Sequence, residues 1–130
     1  MECRYCEDEY QKSLQTRIIL ENELAYARYD GNPVNKGHML IITKRHMDNF
    51  FETTKEEKIA LLDLVSKAKT LLDEEYHPNG YNVGMNCGTA AGQTVMHTHI
   101  HLIPRYDGDV PNPKGGVRGV IPSKQDYTKL

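Results

Sequence analysis

Between Gln93 and Arg105 the chain alternates: His97, His99 and His101 occupy every second position, with Thr98, Ile100 and Leu102 between them. Successive side chains of a β-strand point to opposite faces, so the pattern demands a strand with one apolar face on a core and one face carrying three imidazoles. The flanking Thr94, Val95 and Ile103 are β-branched, and the spacing predicts an extended segment from about Thr94. Imidazole titrates near neutral pH, ligates metals and can act as a nucleophile. The triad alone therefore admits a nucleophilic site or a catalytic metal held by three imidazoles with an open position. Three unrelated structural histidines are the bland alternative.

The rest of the chain supplies a partner sheet and one helix. Segments 17–21 and 24–29 read as short strands about a tight turn at Asn22-Glu23, and Asp30-Gly31-Asn32-Pro33 breaks the pattern. Residues 37–43 read as a third strand, whose Met39-Leu40-Ile41-Ile42 run is continuous enough to be buried on both faces. Thr53 or Thr54 followed by Glu56 or Glu57 is a capping-box signature. The Gly- and Pro-free segment to Tyr76 follows as one amphipathic helix, with an apolar stripe read through Ile59, Leu62, Val65 and Leu72 and their neighbours Leu61 and Ala68. Residues 81–86 begin another strand, and the small-residue loop 88–93 leads into the histidines. From about 106 to 130 the tail is irregular by composition, and Val117–Pro122 is short enough to add a small strand or cover a groove. This order predicts a single α+β domain over residues 1–130, an antiparallel sheet with one long helix packed on it.

At 130 residues the chain suits one ordinary hydrophobic core. A net charge of −2 with scattered basic residues argues against a nucleic-acid groove, and the absence of a long apolar run argues against a membrane span. A cytoplasmic location is the expectation. In a reducing compartment Cys3 and Cys6, spaced Cys-x-x-Cys, favour half a zinc site over a redox pair, since the strand-then-helix setting of a redox motif is missing. The other two ligands would then be histidines. Cys87 reads as a small buried residue, and Arg105, following Pro104, as a surface or packing residue.

The segment His97-Thr98-His99-Ile100-His101-Leu102-Ile103, with Asn86, Ala91-Gly92-Gln93-Thr94-Val95 and Gly37-His38-Met39-Leu40-Ile41-Ile42, resembles the histidine triad superfamily, and the likeness runs from Cys3 to Tyr127. The resemblance implies the histidine triad fold and a nucleotidyl hydrolase or transferase. Its substrates would be nucleoside phosphates, either dinucleoside polyphosphates or nucleoside phosphoramidates, with adenine favoured and a nucleoside monophosphate released. By that resemblance His99 is the nucleophile that forms a covalent nucleotidyl-histidine, with a backbone carbonyl fixing its tautomer. His101 and His38 assist at the phosphate and leaving group, Asp30 meets the ribose, and Asn86 stands near the phosphate. Backbone N–H groups of Gly92, Gln93 and Thr94 and the Thr94 hydroxyl approach the phosphate oxygens. It also implies a structural zinc on Cys3, Cys6, His46 and His97, and a homodimer with a continuous sheet, for which Ile59, Leu62 and Val65 are possible contacts. The 115–122 segment resembles the branch of diadenosine polyphosphate hydrolases, and that resemblance favours dinucleoside polyphosphates. Two other functions compete: a nucleotide-binding or scaffold protein with incidental hydrolysis, and a zinc-dependent hydrolase using His97, His99 and His101 as ligands.

Overall fold

The computed structural model describes residues 3–129. Five strands, β1 (Leu20–Glu21), β2 (Ala25–Tyr29), β3 (Met39–Thr43), β4 (Gly80–Gly84) and β5 (His99–Arg105), form one antiparallel sheet in the order β1-β2-β3-β5-β4. Helix α1 (Asp8–Leu14) precedes the sheet, and α2 (Lys55–Tyr76) runs between β3 and β4. The expected α+β plan of one long helix on an antiparallel sheet is the plan observed. No helix of the described residues is long and apolar enough to cross a membrane.

β3 lies at the centre of the sheet, and all five of its residues are buried. Met39 and Ile41 join Ile100, Leu102, Ala25 and Ala27 against Leu61, Leu64, Ala68 and Leu72 of α2. Leu40 and Ile42 face the other way, into a second cluster with Tyr26, Cys3, Tyr5 and Leu14. Each aliphatic side chain so buried contributes roughly 1.5–3 kcal/mol of hydrophobic free energy. The two-sided burial expected of this strand thus comes from α2 on one face and the amino-terminal segment on the other. Helix α1 itself has no counterpart in the sequence reading. Its single buried residue, Leu14, leaves no periodicity to detect.

Thr54 is the N-cap of α2: its side chain accepts from the Glu57 N–H, while the Glu57 carboxylate accepts from the Thr54 N–H. Two otherwise orphaned donors are thereby satisfied. The stripe that α2 buries is Glu57, Leu61, Leu64, Ala68 and Leu72. Ile59 and Leu62, which the sequence places in the apolar stripe, stay outside the core at 59% and 55% exposed. Adjacent apolar pairs at 61–62 and 64–65 make the helical phase degenerate, and packing against Met39 and Ile41 decides it.

Other boundaries shift for local reasons. β1 keeps only Leu20–Glu21, since 15–17 are the turn that closes α1, although the Ile19 N–H still donates to the Ala27 carbonyl. Asn22 Oδ1 accepts from the N–H groups of Leu24 and Ala25, which closes the expected tight turn. β4 is Gly80–Gly84 rather than 81–86. Gly37 has φ +89°, and a Cβ there would meet Leu72, Tyr76 and Pro104 at 3.1–3.2 Å, so glycine is required both by backbone and by helix approach. The tail adds no strand. It folds into short 3-10 turns at Gly116–Val120 and Pro122–Lys124, and Val117 and Val120 face Val83 and Ile103 across a groove. Cys87 is half-buried rather than buried.

Candidate active site and metal cluster

The histidine strand begins later than its alternation predicts. β5 starts at His99, and 95–97 form a bend in which the His97 N–H donates back to the Val95 carbonyl. The Thr98 N–H and hydroxyl both donate to the Met47 carbonyl, which ties this bend to the segment after β3. His97 is consequently drawn away from the strand and buried, while His99 and His101 stay half-buried on β5.

Hydrogen-bond partners assign each ring a tautomer. His99 Nδ1 lies 2.7 Å from the His97 carbonyl oxygen, an acceptor only, so Nδ1 carries the proton and Nε2 keeps its lone pair. His38 Nδ1 accepts from the Val34 N–H, which places the proton on Nε2, 3.0 Å from His101 Nδ1. His101 then accepts at Nδ1 and carries its own proton on Nε2. Asp30 Oδ2 is 3.4 Å from His38 Nε2. Burial pushes the His99 and His38 pKa values down, with Asp30 opposing the shift at His38. Burial, reinforced by His99 and His38, lowers His101 to about 4. All three are therefore neutral at pH 7.

His99 and His101 open into a cleft of about 360 Å³ whose floor includes Leu40. Asp30, Asn86 and Thr94 line it as well, so five of the residues singled out from the sequence converge here. Gly92 and Gln93 do not line it. Their N–H groups donate to the Thr89 and Gly88 carbonyls, because residues 88–92 coil into a 3-10 turn with Gly92 at φ +92°. The Gln93 side chain is buried and bonds Gly88, Asp48 and Val95, so it holds the loop in place. The donor role expected of Gly92 and Gln93 thus narrows to Thr94, whose N–H has no protein acceptor among the described residues. Tyr5, Tyr10 and Arg28 also line the cleft and were not singled out from the sequence, where nothing marks them as neighbours of the histidines.

Behind the cleft, Cys3 Sγ, Cys6 Sγ, His46 Nδ1 and His97 Nδ1 lie within 4.8 Å of one another. His97 Nε2 donates to the Thr43 carbonyl at 2.7 Å, which leaves Nδ1 as a bare donor atom facing the thiols. Its distances are 3.4 Å to Cys3 Sγ, 3.6 Å to Cys6 Sγ and 3.3 Å to His46 Nδ1, with 3.6 Å between Cys6 Sγ and His46 Nδ1. A tetrahedron with Zn–S of about 2.3 Å and Zn–N of about 2.0–2.1 Å has N···S edges of ~3.5 Å and N···N edges of ~3.3 Å. The four residues fit such an ion. Burial and the neighbouring Cys3 push the Cys6 thiol up to about 11, and a divalent cation reverses that logic by stabilising the thiolates. Arg45 pairs with the buried Glu57 at 2.7 Å and so braces His46 against the start of α2. Among the described residues, His97, His99 and His101 do not converge on a single point, so the three-imidazole catalytic metal considered from the sequence lacks its geometry.

Comparison with known proteins matches residues 11–108 to the HIT domain family. An uncharacterized HIT-like protein of Methanocaldococcus jannaschii is 38% identical over 96 residues, covering 74% of this chain and 74% of that protein. A bis(5'-adenosyl)-triphosphatase of Dictyostelium discoideum is 35% identical over 98 residues, covering 75% of this chain and 66% of that protein. Among solved structures, a zinc-bound histidine triad family protein from Mycobacterium smegmatis superimposes with a TM-score of 0.67 at 32% identity, covering 73% of this chain and 69% of that one.

Proposed function

The chain belongs to the HIT domain family, and from that premise we propose that it is a nucleotidyl hydrolase or transferase acting through His99. One observation carries the reading: the His97 carbonyl holds the Nδ1 proton of His99, so a neutral imidazole presents its Nε2 lone pair to the cleft. In this reading Nε2 attacks the α-phosphorus of a nucleoside phosphate. A P–N bond forms as the bond to the leaving group breaks, and the leaving group departs with the electron pair. The leaving group departs as a phosphate-type anion, to which the His101 Nε2–H donates a hydrogen bond without giving up its proton, and His38 Nε2–H orients His101 through Nδ1. Water then attacks the phosphorus and releases a proton to solvent, the P–N bond breaks, and a nucleoside monophosphate leaves with His99 restored as the neutral Nδ1–H imidazole. Thr94 N–H stabilises the developing phosphoryl charge. Asp30 is offered to the ribose and Asn86 to the phosphate.

Dinucleoside polyphosphates are the substrate class proposed first, a choice supported by the name of the Dictyostelium relative and by the glycine-rich 115–122 segment. We also propose that Cys3, Cys6, His46 and His97 hold a structural zinc, a reading supported by the tetrahedral spacing and by the zinc-bound neighbour. When bound, the ion supplies crosslinking of the amino-terminal segment to the triad bend, with no coordination position left for substrate. A homodimer through the free edge of β4 and the exposed Ile59 and Leu62 completes the proposal.

The test is intact mass spectrometry after brief mixing with diadenosine tetraphosphate. A transient gain of one adenylate together with AMP release, both absent in His99→Gly, is the expected result. His99-dependent turnover with no adduct, abolished by chelation, would overturn covalent transfer. Silence with this substrate and with an adenosine phosphoramidate would leave nucleotide binding alone.

A further inference from the structure

The cleft has a second pole that the chemistry above does not use. Arg28 of β2 is only 6% exposed and forms no ion pair among the described residues. A buried guanidinium is costly unless its donors are satisfied. Nε donates to the Tyr10 hydroxyl at 2.9 Å and Nη1 to the Tyr29 carbonyl at 2.9 Å. The Tyr10 hydroxyl is itself held by that of Tyr26 at 2.5 Å. The guanidinium carbon lies 5.4 Å and 5.2 Å from the ring centroids of Tyr5 and Tyr10. Nη2 has no protein acceptor, yet no fully buried side-chain nitrogen or oxygen among the described residues is without a partner. Nη2 therefore opens onto the cleft that Arg28 lines.

Strand register decides what reaches it. Arg28 pairs with Leu40, and Leu40 with His101. The two outer residues are two strand spacings apart, about 10 Å, on one face of the sheet. In the nucleotidyl-transfer reading, a nucleoside with its 5'-phosphorus at His99 and its ribose near Asp30 would carry its base across the Leu40 floor to this pole. The planar guanidinium, held at two of its three nitrogens, is preorganised, so little entropy is lost when the third binds.

Resting on the nucleotidyl-transfer reading for its ligand class, we propose that Arg28 reads the base of the bound nucleotide and selects 6-oxopurines over adenine. Guanine and hypoxanthine present two adjacent acceptors, O6 and N7, to the two N–H groups of Nη2, the guanidinium nitrogen without a protein acceptor. Adenine places its 6-amino donor where Arg28 offers another donor. Tyr10 is a positioning residue, since it acts through Arg28 Nε. The expectation of adenine, which the name of the Dictyostelium relative supports, and this proposal predict opposite orders of binding.

Isothermal titration with AMP, GMP and IMP tests this on the unmodified protein. GMP and IMP should bind about tenfold more tightly than AMP. Arg28→Met should bring the three within about twofold of one another, and Arg28→Lys, which keeps the charge but not the fixed fork, should do nearly the same. Equal binding of all three, a preference that survives Arg28→Met, or tight binding of GMP with IMP resembling AMP would each overturn the assignment. The last outcome would mean that the N1 and N2 edge is read. The first comparison needs no variant, so a misfolded mutant cannot shield the proposal. Equal binding with adenylate adduct formation would sink base selection and leave nucleotidyl transfer standing. Selective binding of GMP and IMP without turnover of adenosine or guanosine phosphoramidates would do the reverse, and no binding of any nucleotide would remove both.

Discussion

The carbonyl oxygen of His97 lies 2.7 Å from Nδ1 of His99, while the His97 ring belongs to the cysteine-histidine cluster behind the cleft. One residue thus joins two sites: in the proposed reading its side chain is a metal ligand and its backbone orients the attacking imidazole. The stability of the cluster and the tautomer of His99 are mechanically coupled through the 95–97 bend.

Removing a ligand should therefore cost both stability and rate. Cys6→Ser is expected to lose stoichiometric zinc by elemental analysis and to lower Tm by about 10 °C or more, since metal-binding free energy is folding free energy in such sites. Turnover should fall although Cys6 lies outside the cleft. A variant with unchanged metal content and unchanged Tm would refute the structural ion.

The neutral histidines set a sign for the pH dependence. His101 and His38 have folded pKa values below the ordinary imidazole value of about 6.5, because burial disfavours the cation. Below pH 6.5 the unfolded chain takes up protons that the folded chain does not. Their stabilising contribution is complete above pH 6.5 and is lost as pH falls toward the His101 value of about 4. Urea melts between pH 7.5 and 4.5 should show stability declining over that window, with a shallower decline in His101→Asn. The acid limb of kcat/KM should lie below 6.5, and a limb above 7 would contradict a neutral buried triad.

Gly37→Ala is predicted to destabilise by about 1–2 kcal/mol, the cost of forcing an L-residue to positive φ, with crowding against Leu72, Tyr76 and Pro104 in addition. A lower urea midpoint at unchanged slope would bear this out. A wild-type midpoint would mean that the backbone relaxes freely there.

Thr54→Ala should cost about 1 kcal/mol through loss of the N-cap. Glu57→Gln should cost more, because its carboxylate serves both the capping box and Arg45. Arg45 precedes His46, so this second variant is also expected to weaken zinc retention in a chelator competition. Equal retention in both variants would show that the brace does not reach the metal cluster.

Much of the architecture was legible because it rests on local periodicity. Alternation placed β5, a continuous apolar run placed β3, and the Thr54 to Glu57 spacing placed the start of α2. The helix that buries one residue, α1, left no periodic trace, and the phase of α2 was undecidable where two apolar pairs sit side by side. The histidine pattern was over-read at one end, since alternation cannot reveal that His97 is pulled from the strand into a bend.

The sequence by itself determined which chemical groups exist and their order along five strands and a helix, since residue type and period act over a few neighbours. Tertiary structure alone decided which groups meet. Cys3, Cys6, His46 and His97 converge at tetrahedral spacing only once the amino-terminal segment packs on Leu40 and Ile42. A charged residue within a strand reads as solvent-facing, and only the covering Tyr5 and Tyr10 turn Arg28 into a buried, cleft-lining guanidinium. Such contacts span dozens of residues, and their energies depend on distance and burial rather than on spacing along the chain.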